Sequence, residues 1–403
     1  MSDPKPGKLP SRKVLGDLVW SLAAMLLLNG TIQIVIYPFL QRRLGVAGYG
    51  DMLYQVSMAT ILGAGMGLAV NNYRLLHQAD KGLQNGDYLL SLALLLGAGC
   101  VPLALLLGVG PVQTAACLLL ALCIGLRYYS DVTYRLTLDY KAYFLYYLIL
   151  SVGYLAGLAL WPLLKSWIIV LLLGEAACVA FCMLRGGIYK PLNRSAQLWI
   201  TVRSILPLAG SYLLYNAVVQ MDRVLLRHLL GSEAVGMYYV ASLLGKIIAL
   251  LVGPINSVLL SYLSKMKQGL SEKTALKLLA GILAVSVLFF GVIAVAAPFV
   301  TRMLYPDIDC ASLLLRANLG QILCFTGSLL LTILLTLAPS RWQLISQGLY
   351  AVLFIAMGIW GANANGLDGF VNGTLWANIL RCAAAALLLV IFARKGKAGV
   401  QTA

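Results

Sequence analysis

The sequence predicts an all-α polytopic membrane protein of twelve transmembrane helices, arranged as two six-helix lobes related by an internal repeat. Three observations carry this. First, apolar residues make up 61% of the 403 and charged residues only 11%, against about a quarter charged in a soluble domain, and the mean hydropathy is +0.88. Second, apolar runs of roughly 20 residues, the length that crosses a bilayer, recur from end to end. Third, the stretch Leu44–Leu62 (LGVAGYGDMLYQVSMATIL) returns 186 positions later, without a gap, as Leu230–Ile248 (LGSEAVGMYYVASLLGKII). Leu44 aligns with Leu230, Gly45 with Gly231 and Gly50 with Gly236. Each copy lies between two long apolar runs, as in transporters built from duplicated halves.

The spans read as 14–40, 48–76, 88–108, 111–134, 142–164, 166–185, 203–227, 235–263, 275–299, 310–337, 342–361 and 368–393. The first is too long for a secretory leader and lacks a small-residue cleavage site, so it reads as a retained helix. The short alternating segments of a β-barrel are absent. The organisation is then a cytoplasmic tail (1–13), an N-lobe (14–185), a polar cytoplasmic linker (186–202), a C-lobe (203–393) and a second cytoplasmic tail (394–403).

The net charge of +16 would suggest nucleic acid in a soluble protein; here the cations are topology signals, and no nucleic-acid partner is expected. With the N-terminus inside, most of the 30 Lys and Arg fall on the cytoplasmic side. Arg42, Arg43, Lys165, Arg223, Arg227 and Arg302 fall outside, and Lys246, Arg316 and Arg381 lie within spans. That bias follows the positive-inside rule with both termini cytoplasmic. An odd number of spans scrambles it.

In span 1, Asp17 suits the positive end of the helix dipole, and Asn29-Gly30-Thr31 and Gln33 lie at mid-depth. Gly63-x-Gly65-x-Gly67 in span 2 has a superficial likeness to a nucleotide loop, but no strand precedes it; in an apolar helix it permits close helix contact or bending. Arg127, Asp131 and Arg135 of span 4 are spaced i, i+4, i+8 and share one face, which suits a salt-bridged cytoplasmic end. Trp161-Pro162 and Trp167 form an interfacial aromatic belt. Glu175 of span 6 is an intramembrane acid, so it needs a partner or a role such as ion coupling or gating. Span 7 holds Asn216, Gln220 and the adjacent pair Asp222–Arg223, whose side chains point about 100° apart. One of the two caps or ties the lobes together, and the other faces a cavity. Lys246 lies near mid-membrane in span 8, followed by Pro254 and Asn256. Arg316, Asn318 and Gln321 are in span 10, and Asn378 and Arg381 in span 12.

Several activities are excluded by what is missing. There is no GxxxxGK[ST] loop for ATP. The two histidines, His77 and His228, sit at membrane edges, and neither an acid–His–nucleophile set nor HExxH occurs. The eight cysteines lie almost all inside apolar runs and read as small buried hydrophobes, not as a zinc site or disulfide frame. No catalytic residue, metal or cofactor is expected. Positive charge inside the spans outweighs negative: each cation at the bilayer centre costs roughly 2.5–3.5 kcal/mol on insertion scales, which a water-filled, basic-walled cavity would lower. Such a wall binds phosphate or diphosphate.

The Leu-Gly-x-x-x-x-Gly start of spans 2 and 8 and the Met221-Asp222-Arg223-Val224-Leu225-Leu226 run of span 7, with twelve spans in two lobes, resemble the polysaccharide-transporter branch of the MATE-like (multidrug/oligosaccharidyl-lipid/polysaccharide) superfamily. The resemblance covers nearly the whole chain. It implies two lobes forming a V around a central cavity in a bacterial or archaeal cytoplasmic membrane. It implies a flippase for O-antigen, lipopolysaccharide or capsule repeat units, with alternating access driven by a gradient of H+ or Na+. The substrate class is a polyprenyl-diphosphate (undecaprenyl) oligosaccharide within membrane lipid, supplied and consumed by glycosyltransferases and a glycan polymerase. The family's basic cavity residues map onto Lys246 and Arg74; together with Arg316, Arg381 and Arg223 these are the expected substrate contacts, and Asp222 and Glu175 the expected coupling or gating residues. The scarcity of acids departs from the drug-exporting relatives, and the two further helices of lipid II flippases are missing. A cation-coupled multidrug exporter of the MATE type is the alternative. A membrane glycan polymerase or ligase is the third reading, and it lacks the large periplasmic loop it needs.

Overall fold

A computed structural model describes residues 12–77, 82–185, 188–189, 191–195, 197–249, 272–337 and 340–400. The N-terminal tail, the lower half of span 8 with Pro254 and Asn256, and residues 401–403 lie outside them. Among the described residues there is no strand. Nine helical stretches are long and apolar enough to cross a membrane, and two of these, Val19–Leu76 and Ile345–Arg394, run for 58 and 50 residues. At 1.5 Å per residue both are too long for one crossing of a core about 30 Å thick. Each is broken by a glycine at positive φ: Gly45 (φ 69°, ψ 176°) and Gly366 (φ 57°, ψ −136°). Eleven passes are thus described, and the start of a further one follows Gly231.

The helices divide into two compact units. One comprises residues up to Arg43 with Met52–Val224; the other comprises Leu44–Asp51 with residues from Leu225 on.

In the first unit, α1 (Arg12–Gly30) passes through a π-helical turn, Thr31–Ile36, into α2 (Tyr37–Leu76). The mid-depth polar residues read from the sequence explain that turn. Asn29 donates to the Met25 carbonyl at 2.8 Å and Thr31 to the Leu27 carbonyl at 2.9 Å. Such back-bonding around a glycine loosens the α-helical ladder. There follow α3 (Asn85–Leu107), α4 (Pro111–Ser130), the short α5 (Val132–Thr137), α6 (Tyr140–Ala159), the one-turn α7 (Trp161–Leu164), α8 (Trp167–Arg185) and α9 (Leu198–Leu229). The glycine run of α2 serves close helix contact. A Cβ on Gly63 would lie 2.5 Å from the Ala121 carbonyl oxygen, and one on Gly67 2.5 Å from that of Gly125, so the α2 and α4 backbones touch. Leu213 of α9 meets Gly65.

The polar segment after α8 is strapped to this unit. Gly86 donates to the Asn193 carbonyl at 2.9 Å, and the Asp87 carboxylate accepts from the backbone N–H groups of Gln84 and Ser195 at 2.9 and 3.0 Å. Buried Tyr189 shares a 2.5 Å hydrogen bond with Ser130, and its burial pushes the phenol pKa up, so it stays a neutral hydroxyl.

In the second unit, α10 (Ser232–Ala241) and α11 (Leu243–Ala249) are followed by α12 (Glu272–Leu304), α13 (Ala311–Leu337) and α14 (Ser340–Val400), the last bent at Asn365-Gly366. Ala275, Ile333, Leu389 and Ala393 form one core cluster between α12, α13 and α14, and Leu330, Leu331, Leu334 and Ala385 a second between α13 and α14. The repeat is visible in the backbone. Gly231 has φ 87° and ψ −178°, the same sparsely populated region as its counterpart Gly45, which a side chain disfavours. The two copies also meet. A Cβ on Gly50 would fall 1.7 Å from the Ser232 carbonyl oxygen, and one on Gly236 2.8 Å from the Val46 carbonyl oxygen. Val46 aligns with Ser232 and Gly50 with Gly236, so the contact is reciprocal. Around it, Tyr49 and Tyr239 meet edge to face at 6.1 Å, and Asp51 accepts from Arg227 at 2.8 Å and from Ser232 at 2.5 Å.

Candidate functional site

The deep charges of the first unit are handled in pairs. Arg127 on α4 donates through Nε to Glu175 of α8 at 2.7 Å, and the Tyr154 hydroxyl of α6 donates to the other Glu175 oxygen at 2.7 Å. Glu175 is 2% exposed. The Arg127 guanidinium also lies 4.2 Å from the centre of the Tyr128 ring. Glu175, without an evident partner in the sequence, is therefore ion-paired from α4 and hydrogen-bonded from α6. The expected charged face of span 4 divides accordingly: Arg127 turns to Glu175, while buried Asp131 pairs with Arg135 at 3.4 Å. One Asp131 oxygen, Oδ1, has no hydrogen-bond partner among the described residues.

Arg74, in the last turn of α2, is held by neutral groups. Its two terminal nitrogens donate to the Tyr129 hydroxyl and to Asn85 Oδ1, each at 2.6 Å, and the guanidinium lies 4.8 Å from the Tyr88 ring centre. Two residues away, Asn72 donates to the Tyr212 hydroxyl of α9 at 2.9 Å. Arg223 donates to Ser57 at 2.9 Å, and the Asp222 carboxylate accepts from the Arg223 backbone N–H at 2.9 Å. Asp222 is buried.

The three intraspan cations of the second unit have different surroundings. Arg316 stands in the second turn of α13, ion-paired with Asp368 and hydrogen-bonded to Asn372 at 3.0 Å. Its charge is balanced near a helix end, not at mid-depth. Lys246 on α11 lies over two aromatic faces, 4.6 Å from the Tyr239 ring centre and 5.3 Å from that of Tyr238. Arg381 on α14 is 7% exposed. It donates to the Cys324 carbonyl and sulfur at 3.3 and 3.4 Å, to Ser328 at 3.2 Å and to Gln347 at 3.4 Å, and lies 4.2 Å from the Tyr350 ring centre. No carboxylate is among these groups, and Arg381 Nε has no hydrogen-bond partner among the described residues.

One face of α13 links the two basic groups. Gln321, Cys324 and Ser328, spaced i, i+3, i+7, run from the Tyr238 hydroxyl, which Gln321 approaches at 3.3 Å, to the Arg381 guanidinium. An Arg over an aromatic face, with donors in excess of acceptors, can take up a phosphate oxygen. A buried ion pair such as Arg127–Glu175 cannot do so without first breaking. Asn378 and Asn216, polar spans residues in the sequence, turn back onto their own helices, donating to the Thr374 and Tyr212 carbonyls at 2.9 and 2.8 Å. Among the described residues no three His, Cys, Asp or Glu converge.

No family model matches the sequence, and no curated protein matches it. Solved structures do. The chain is similar to a multidrug resistance MATE family transporter of the MOP superfamily in its inward-facing conformation, with TM-score 0.68 and 13% identity over 94% of this chain and 99% of that one. It is similar to a MATE in complex with MaL6 (TM-score 0.62, 16% identity, 96% of each chain). It is also similar to the Vibrio cholerae MATE transporter VcmN in the bent form (TM-score 0.57, 15% identity, 96% and 97%). The chain is thus a multi-pass membrane protein with the twelve-helix, two-lobe fold of these transporters.

Proposed function

We propose that the protein is a flippase moving polyprenyl-diphosphate-linked oligosaccharides across the cytoplasmic membrane by ion-coupled alternating access, with both termini inside. The observation that carries this reading is Arg381. A guanidinium buried to 7% exposure and held only by neutral groups is expensive in a membrane. It is accounted for if an anionic ligand completes its shell. Lys246, on the rings of Tyr238 and Tyr239, supplies the second positive group for a diphosphate. Arg74, held by Tyr129 and Asn85, and Arg223, which donates to Ser57, are proposed to meet the substrate on the first unit. Arg316, already balanced by Asp368, is not needed for it.

The protein is read as a transporter and not an enzyme. Its substrate would come from glycosyltransferases and pass to a glycan polymerase, and the coupling ion is H+ or Na+. The competing reading, a cation-coupled drug exporter, draws on Asp131 and its open oxygen. Glu175 is committed to Arg127 and Tyr154.

The test is accumulation of lipid-linked repeat units on the cytoplasmic leaflet. Deletion of the gene should cause it, and Arg381→Gln or Lys246→Gln should reproduce it at normal protein levels. Normal surface glycan in both variants, with drug sensitivity in Asp131→Asn instead, would favour the exporter.

A further inference from the structure

The eighth membrane helix is interrupted at Ser242, between α10 and α11. The groups on either side of the interruption are Ala241 and Gly245, whose carbonyl and N–H are the i and i+4 partners of an unbroken α-helix. In the fold, both meet the same side chain. Asn318 of α13 donates through Nδ2 to the Ala241 carbonyl at 2.7 Å, and its Oδ1 accepts from the Gly245 N–H at 2.7 Å. The second Nδ2 proton goes to the Leu314 carbonyl at 2.8 Å, and the residue is 1% exposed. A primary amide carries one donor and one acceptor edge to edge, so it can stand between a carbonyl and an N–H and satisfy both. Gly245 makes the insertion possible: a Cβ there would lie 2.6 Å from Gln321 Cβ and 3.2 Å from Asn318 Oδ1.

From this we infer that Asn318 is a positioning residue that splints a built-in break in the eighth helix and thereby aims Lys246. The next residue after Gly245 is Lys246, and its N–H returns to the Ser242 carbonyl at 3.0 Å, so the ladder resumes at once. At Ser242 the backbone leaves helical values (φ −98°, ψ 5°), and beyond it the Lys246 ammonium lies over Tyr238 and Tyr239, on the other side of the break. Backbone groups freed inside a membrane must find partners in the protein, and side-chain insertion is one of the few causes of a sharp helix bend. The break is therefore fixed from outside its own helix. Its functional consequence, though not the splint itself, rests on the reading of Lys246 as a substrate contact.

The test is hydrogen exchange of the Gly245 amide in the full-length protein in lipid nanodiscs. In the wild type it should be as protected as the flanking amides of Ser242 and Lys246. Asn318→Leu keeps the bulk and loses both bonds, and should speed Gly245 exchange about tenfold relative to wild type at the same pH. Asn318→Asp separates hydrogen bonding from packing. Burial beside a carbonyl favours the neutral carboxyl, which at about pH 5 presents the same donor and acceptor as the amide and should restore protection. The inference is overturned if the wild-type Gly245 amide exchanges like an open loop, if Asn318→Leu is as protected as wild type, or if Asn318→Asp at about pH 5 is as open as Asn318→Leu. Lys246→Gln keeps the substrate reading separate: it should leave Gly245 protection unchanged and abolish transport. Normal transport by Lys246→Gln removes that reading and leaves the splint standing.

Discussion

The deepest charges of the two units are treated in opposite ways. In the first, Arg127 is met by Glu175 and Tyr154, Asp131 by Arg135, and Asp87 by two backbone N–H groups. In the second, buried Arg381 has carbonyl, thiol, hydroxyl and amide partners only. Opposite charges in contact hold helices together and leave little attraction for a third party. A cation surrounded by dipoles keeps most of its field. The contrast separates charges that build the scaffold from charges available to a ligand.

That contrast can be broken most decisively at the pair itself. Removing one partner of a buried ion pair strands the other, at about 3–5 kcal/mol. Arg127→Ala or Glu175→Ala should therefore sharply lower the melting midpoint in detergent, whereas the double change Arg127→Met/Glu175→Leu should recover most of it. Silent single variants would mean that the first unit's charges are no more structural than the second's.

A smaller effect is expected where the copies of the repeat touch. Gly50→Ala places a methyl 1.7 Å from a carbonyl oxygen and should cost about 1–3 kcal/mol. Gly210→Ala, with nothing within 4 Å, should be neutral or gain up to about 1 kcal/mol. Equal melting midpoints for the two would show that the reciprocal contact is looser than drawn.

Arg381→Gln sharpens the comparison from the other side. It removes a buried charge that has no counter-charge, so the melting midpoint should stay within a degree or two of wild type, or rise, while lipid-linked repeat units accumulate. A collapse in stability matching that of Arg127→Ala would place Arg381 among the scaffold charges. Smallest of all is Arg227→Gln. Its partner Asp51 and Arg227 itself are about 40% exposed (41% and 39%), and such pairs contribute roughly 0.2–1 kcal/mol, a shift that urea or thermal titration should barely resolve.

Much of this architecture is legible in the chain because lipid imposes a length on every pass. The apolar runs place the helices, and the glycines at 45 and 231 fall where the backbone takes the same positive-φ conformation. The side-chain network is legible only in part, because its partners are distant in sequence. Arg127 and Glu175 are 48 positions apart, Arg381 and Cys324 are 57, and Asn318 and Gly245 are 73. No local period joins them. One signal was available: Tyr238 and Tyr239 precede Lys246 by eight and seven positions, two turns of helix, and share its face. Asn318, a polar residue of span 10 in the sequence, is committed to backbone of a neighbouring helix. A buried amide in a membrane helix is as ready to repair a neighbouring helix as to bind a ligand.

The segment Leu44–Asp51 belongs with residues beyond Leu225, and this has a bearing on how the protein is made. A ribosome adding about 5–20 residues per second needs roughly 10–40 seconds to reach the matching stretch 186 positions downstream. For that interval the glycine-rich start of the second pass has been synthesised while its mate has not. Nascent chains arrested before Leu230 would hold Gly50 with nothing to close on. Insertion of the early helices and completion of the later unit are thereby separate events in time, and the second waits for a piece delivered with the first.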